Sequence, residues 1–222
     1  MKDFSSLYNL KYFVNRNKND LKRLVSFYQE KEFIENYTSA SGTVCDVGCS
    51  TGEFLNAIGW SGNKYVMEIN SNAIDKATAS GIDFSKNILT EENFFDVVIF
   101  RGTIQHLPNP FEYISSAYNA LKSGGTIVFL ATPNANSLVY KNFNTLPALS
   151  PAYNFYIPSD ITLKNVLKNF DFEVIEIQYP YIKSPYAKPV SDHINFIHQF
   201  IFKEEPKFSF WKSMMNVVAR KV

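Results

Sequence analysis

The chain has 222 residues, of which 45% are hydrophobic and 19% charged, a balance that suits a globular fold and excludes disorder and collagen-like structure. At roughly 150 residues per domain, the length predicts one domain over 1–222: a helical segment at 1–40, a core at 41–134 and a covering and terminal-sheet region at 135–222. Its net charge is +1, its two cysteines lie four residues apart at 45 and 49, and its three histidines stand at 106, 193 and 198. That leaves no disulfide framework and no expected metal site.

No apolar stretch approaches the roughly 18 residues of a membrane span, and the first residues are too polar for a signal peptide. A cytoplasmic protein without a membrane partner is expected. The charge is uneven, with +4 over residues 1–23, −7 over 24–178 and +4 over 179–222. The basic flanks are either two solvated surfaces or the rim of a cleft suited to an anionic small molecule. With no Lys/Arg run longer than two, no nucleic-acid partner is expected.

In chain order, Asn19 or Asp20 caps a helix over 20–37 with Leu21, Leu24, Val25 and Tyr28 as its apolar face. Residues 43–47 read as a strand that ends at Gly48, followed by a tight loop and a helix carrying Phe54, Leu55 and Ile58. KYVMEI at 64–69 is a second strand. The helix after it is capped by Ser71 or Asn72 and ended by Gly81. IDFS at 82–85 is a weaker third strand. FFDVVIF at 94–100 is a near-continuous apolar run, as a parallel strand covered on both faces requires. Asn109 then caps a helix with Pro110 in its first turn, an apolar face of Phe111, Ile114, Tyr118 and Leu121, and a stop at Gly124. Residues 126–132 form a fifth strand. An irregular aromatic run, a helix at 159–169, a strand at 172–182, a loop or small helical cover at 183–212 and a last strand near 215–220 complete the chain.

Strands alternating with helices through short links define an α/β fold with a doubly wound, mostly parallel sheet, whose ligands sit outside the carboxyl ends of the strands. The loop at that position in the first unit reads Gly48-Cys49-Ser50-Thr51-Gly52. It formally admits three uses. A dinucleotide fingerprint needs a glycine where Ser50 stands, and Glu53 would oppose the diphosphate. A nucleophile elbow at Ser50 lacks the strands that should precede it. S-adenosylmethionine carries a positive sulfonium and an amine but no phosphate, so Asp46 and Glu53 suit it. Glu68, 20 residues after Gly48, stands where a carboxylate can accept hydrogen bonds from a ribose diol.

VCDVGCSTGEFL, YVMEI, FDVVIFRGTIQHLPNP and LKSGGTIVFLATPN, taken in that order, resemble the successive motifs of class I S-adenosylmethionine-dependent methyltransferases of the small-molecule type. The likeness runs from about residue 40 to 134. It implies a seven-stranded sheet of order 3-2-1-4-5-7-6, S-adenosylmethionine as cofactor and S-adenosylhomocysteine as product. By the same resemblance, Asp46, Gly48, Cys49, Ser50, Gly52, Glu68, Ile69, Asn87, Ile88 and Arg101 contact the cofactor, and Tyr8, Tyr12 and Arg16 belong to a segment folding over it. Thr132-Pro133-Asn134 matches the ending of the family's fifth strand.

Two departures stand out: Ser50 replaces the middle glycine, and Asn87 stands where an aspartate commonly holds the adenine. The expected reaction is methyl transfer to a small molecule, at oxygen of a sugar or sugar-linked, phosphorylated metabolite. The alternatives are N-methylation of an amine or macromolecule, and a non-catalytic cofactor-binding scaffold. His106, in the loop after the fourth strand, is the candidate general base. Tyr153, Tyr156, Tyr181, Tyr186, His193 and His198 belong to the stretch expected to cover the acceptor.

Overall fold

The computed structural model describes residues 20–147, 149 and 152–222. Asn19, Tyr8, Tyr12 and Arg16 lie outside them. The elements are α1 (Asp20–Glu35), β1 (Val44–Val47), α2 (Glu53–Ala57), β2 (Lys64–Met67), α3 (Ser71–Ala79), β3 (Phe95–Arg101), a 3₁₀ turn at Ile104–His106, α4 (Pro110–Ala120), β4 (Leu121–Pro133), α5 (Leu138–Phe143), α6 (Asp160–Asn169), β5 (Phe172–Gln178), α7 (Pro189–Phe202) and β6 (Met214–Lys221).

The six strands form one sheet of order β2-β1-β3-β4-β6-β5, parallel from β2 to β4, with β6 antiparallel to both β4 and β5. This is the Rossmann-like arrangement expected, with one strand fewer. The segment at 82–85 contributes only an isolated parallel bridge between Tyr65 and Asp83. Ile82 turns inward there to pack on Ala77 and Phe54, and Asp83 folds its carboxylate onto the Ser85 N–H, which ends the pairing.

Apolar residues alternate across the central strands because each strand is covered on both faces. Val98, Phe100, Ile127 and Phe129 face α4 and α6 through Ile114, Ala117, Leu163 and Leu167, with Phe100 stacked on Phe129 at 5.2 Å. Val97, Ile99, Val128 and Leu130 face α1 and α2 through Phe27, Phe33, Ile34, Phe54 and Leu55. Each fully buried side chain of this size contributes about 1.5–3 kcal/mol, so the two faces together commit the chain to a three-layer sandwich.

Several local expectations are corrected. Leu21, Leu24, Val25 and Tyr28 of α1 are exposed, Leu21 by 80%. The helix packs instead through Phe27, Glu30, Phe33 and Ile34, because Glu30 finds a half-buried cationic partner, Arg101, on β3. The cap of α3 is Asn70, whose side chain accepts from the Ala73 N–H. Helix α4 ends at Ala120 rather than Gly124, since Leu121 already pairs with Phe95 and opens β4. Its inward face is Ile114, Ala117 and Ala120, while Phe111 lies outside against Tyr156 at 5.6 Å. Strand β5 stops at Gln178, ahead of Pro180, shorter than the expected 172–182.

Candidate active site

The carboxyl ends of β1, β2, β3 and β4 meet along one edge of the sheet. The loop leaving β1 is clamped to β2 by the Gly48 and Cys49 N–H groups, which donate to the Met67 carbonyl at 2.7 and 3.3 Å. Gly48 has φ +76°, and a Cβ there would come within 2.5 Å of Thr103 Cγ2, so Gly48 lets the β3 loop press against this turn. Ser50 holds φ +55°, in the left-handed region that favours glycine. Its N–H donates to Glu68 Oε2 at 2.9 Å.

Glu68 follows β2 and is half-buried. Its carboxylate turns toward the loop at 48–52. Besides Ser50, it accepts from the N–H groups of Ile69 and Asn70 on Oε1, at 2.8 and 3.0 Å. These bonds fix the carboxylate across the crevice and leave Oε2 a second lone-pair direction. The Ile69 side chain beside it is about half-exposed.

Asp46 lies deep in the same edge. Burial pushes its carboxyl up to about 7, with Glu68 and Glu30 adding to the rise and the Arg101 guanidinium opposing it. Its Oδ1 is buried without a hydrogen-bond partner among the described residues. Burial likewise raises the thiols of Cys45 and Cys49 far above the ordinary range, so neither is a nucleophile. Cys49 Sγ donates to the Ser50 carbonyl.

Arg101, at the end of β3, donates through Nε and Nη2 to the two oxygens of Glu30 at 2.6 and 3.2 Å. Its guanidinium lies 4.4 Å from the Phe27 ring centroid and 5.3 Å from that of Phe54. Glu30 carries no motif and escaped the sequence reading. The signal that could have found it is an acidic residue on the same helical stripe as Phe27 and Ile34, where a buried charge demands a partner.

His106 closes the 3₁₀ turn after β3 and is half-buried. Its N–H donates to the Thr103 carbonyl, and its Nδ1 lies 2.7 Å from the Tyr153 carbonyl. Gln105 accepts from the N–H groups of Phe155 and Tyr156 through its own carbonyl. On the neighbouring strand end, the Ala135 N–H donates to the Pro158 carbonyl, and Asn134 Oδ1 accepts from the Asp160 N–H. The segment 153–160 is therefore stitched to the ends of both β3 and β4, with His106 beneath it. Asn134 is the clip that orients α6.

The remaining candidates are placed elsewhere or used locally. Asn87 Oδ1 accepts from the Leu89 N–H in a turn, Ile88 sits in the core, and the Ile88 N–H faces Cys45 Sγ. The Tyr181 hydroxyl donates to Asp192, and burial, together with the carboxylate it faces, pushes that phenol up to about 12. His193 Nδ1 bonds the Pro189 carbonyl, and His198 lies exposed 3.8 Å from Glu204. Tyr186 is exposed, with Lys22 over its ring. Among the described residues no cluster suited to a metal ion occurs.

The chemistry of this edge excludes the diphosphate. Carboxylates of Asp46, Glu68, Glu53 and Glu30 lie about the loop, and the two guanidiniums among them are already paired, Arg101 with Glu30 and Arg23 with Glu53. An orphaned buried carboxylate oxygen calls for a cationic or hydrogen-bond-donating ligand, as an amine-bearing, sulfonium-bearing nucleoside provides.

The sequence model of a family described as a methyltransferase domain matches residues 14–177. A curated relative, the tRNA U34 carboxymethyltransferase of Helicobacter acinonychis, is 28% identical over 169 residues, 66% of this chain and 63% of its own length. The chain thus spans less than two thirds of that relative. Among solved structures, an S-adenosylmethionine-dependent methyltransferase from Archaeoglobus fulgidus superposes with a TM-score of 0.66 at 22% identity, over 95% of this chain and 99% of the other. A Thermotoga maritima enzyme, described as an S-adenosylmethionine-dependent methyltransferase and possible histamine N-methyltransferase, gives 0.63 at 18%, over 95% and 96%. The fold is that of class I S-adenosylmethionine-dependent methyltransferases. The chain belongs to the methyltransferase-domain family.

Proposed function

We propose that this methyltransferase transfers the methyl group of S-adenosylmethionine to a hydroxyl of a small polar acceptor, with His106 as the general base. The observation that carries the reading is the contact between His106 Nδ1 and the Tyr153 carbonyl. A carbonyl only accepts, so Nδ1 of the neutral ring carries the hydrogen and the ring is held in one orientation. Its position beneath the segment 153–160, at the end of β3, supports that role.

S-adenosylmethionine, when bound, supplies an electrophilic methyl on a positively charged sulfur. Asp46 would take the cationic amine through its orphaned oxygen. Glu68 would accept from the ribose diol, competing with the Ser50 N–H, and Ile69 would give the base an apolar surface. Arg101 keeps N–H groups beyond the two held by Glu30, and these can meet a carboxylate. What remains for rate is distance and angle, which the stitched cover fixes before the acceptor arrives.

Sugars and sugar-linked phosphorylated metabolites are the first acceptors to test, because the excess positive charge over 179–222 suits an anionic molecule. Transfer to tRNA is the second reading, supported by the Helicobacter relative's described substrate. The test is transfer of labelled methyl from S-adenosylmethionine to panels of phosphorylated sugars, amines and total tRNA. Label on a sugar hydroxyl, reduced roughly 10²–10⁴-fold by His106→Gln with cofactor binding intact, supports the proposal. Label confined to tRNA or amines contradicts it.

A further inference from the structure

Helix α7 lies beyond residues 14–177, the part of the chain that the family's sequence model matches. It is apolar on two opposite sides. Inward, Phe196 stacks on Phe210 at 5.2 Å and meets Phe143 of α5 edge-on, while Asp192 is buried and accepts from the Tyr181 hydroxyl and the Lys188 N–H. Outward, Val190, Ile194, Ile197 and Ile201 follow one another at intervals of four, three and four residues, which keeps them on a single stripe. Each is between 59% and 78% exposed, and the partly exposed Phe200 and Phe202 lie beyond its two edges. The only formally charged residue of α7 is the buried Asp192, and the exposed imidazoles of His193 and His198 border the stripe, His198 at 3.8 Å from Glu204.

A stripe of this breadth exceeds the scattered exposure normal for a soluble surface. Lysines stand at both of its ends, Lys188 before the first turn and Lys203 after the last, with Lys183 and Lys207 farther out and all four exposed. Glu204 and Glu205 share the far end, so the exposed charges from 180 to 212 that are not acidic outnumber those that are. Ile182 and Trp211, next to the Tyr181–Phe210 contact, add exposed apolar surface near the first half of the helix.

We propose that α7 is an interfacial helix that seats this protein on an anionic bilayer surface, its stripe lying among the acyl chains and its terminal lysines among the headgroups. With 14 residues, about 21 Å, it is shorter than the roughly 20 residues a span requires, and among the described residues no helix is long and apolar enough to cross a membrane. It therefore lies in the plane of the interface. A second copy of the chain is the competing occupant, and the lysines at both ends of the stripe favour the anionic bilayer over it.

The test is co-sedimentation of the full chain with vesicles of phosphatidylcholine alone and of phosphatidylcholine mixed equally with phosphatidylglycerol, alongside sedimentation equilibrium. The proposal expects binding to the mixed vesicles that weakens with added salt. It expects a loss of about tenfold or more in Ile194→Asp/Ile197→Asp, and a loss of the preference for anionic lipid in Lys188→Glu/Lys203→Glu. All four side chains are exposed, so each variant should remain folded, which thermal unfolding checks. No binding of the wild type to mixed vesicles overturns the proposal, as does binding indifferent to the Ile194/Ile197 change. A stable wild-type dimer that the same change turns into monomers also overturns it, in favour of a second copy.

Discussion

Gly48→Ala probes the loop most sharply, because its cost separates into two parts. The backbone part follows from φ +76°: a side chain in the left-handed region costs about 1–2 kcal/mol. The packing part follows from Thr103, whose Cγ2 and Oγ1 would lie 2.5 and 2.6 Å from the new Cβ, inside any real contact distance. Thr103 is buried and its hydroxyl donates to the Arg101 carbonyl, so it cannot swing away freely; overpacking of this kind adds about 1–3 kcal/mol. The single variant should therefore lose about 2–5 kcal/mol. Thr103→Ala removes both clashing atoms and leaves only its Cβ, 3.1 Å away. In that background Gly48→Ala should cost only the backbone part, so a double-mutant cycle read by urea unfolding should show a coupling of about 1–3 kcal/mol. Equal costs of Gly48→Ala in both backgrounds would mean that Thr103 does not set the need for glycine at position 48.

Three further outcomes are expected. Asp46 titrates near 7 when folded against 3.8 in the unfolded chain, so the native state holds the extra proton between those values and the apo protein loses stability as pH rises from about 4 to 7; Asp46→Asn should flatten that slope in thermal melts. For the same reason, S-adenosylmethionine affinity measured by calorimetry should rise with pH up to about 7 and then level, and the dependence should vanish in Asp46→Asn. Glu30→Ala should destabilise the protein by about 3–5 kcal/mol by stranding Arg101, whereas replacing both with leucine should recover most of the loss, as read by urea midpoints.

The central sheet was legible because its strands carry the signal that burial demands. Residues 94–100 are apolar throughout, and only a strand covered on both faces tolerates that. The third strand misled because Ile82 and Phe84 have the composition of a strand, yet their side chains pack locally and Asp83 turns the backbone. Helix α1 carries two apolar stripes, and periodicity cannot choose between them. The choice is made by Glu30, whose partner Arg101 is 71 residues away.

The loop at 48–52 and Glu68 were legible as a pair because chain order and spacing put both at one edge, and the Ser50 N–H to Glu68 contact joins them directly. The tautomer of His106 was not legible, since it depends on a carbonyl 47 residues on, in a segment without regular structure. Asn134 read as part of a motif; its work in clipping α6 shows only in the Asp160 N–H that it accepts.

The most direct measurement is calorimetric titration of the wild type and Glu68→Gln with S-adenosylmethionine and, separately, NAD. Saturable binding of S-adenosylmethionine by the wild type is expected, weakened about tenfold or more in Glu68→Gln because each lost charged hydrogen bond costs about 1.5–3 kcal/mol, with no heat from NAD. Tight binding of NAD, or S-adenosylmethionine binding that ignores the change at Glu68, would contradict that expectation.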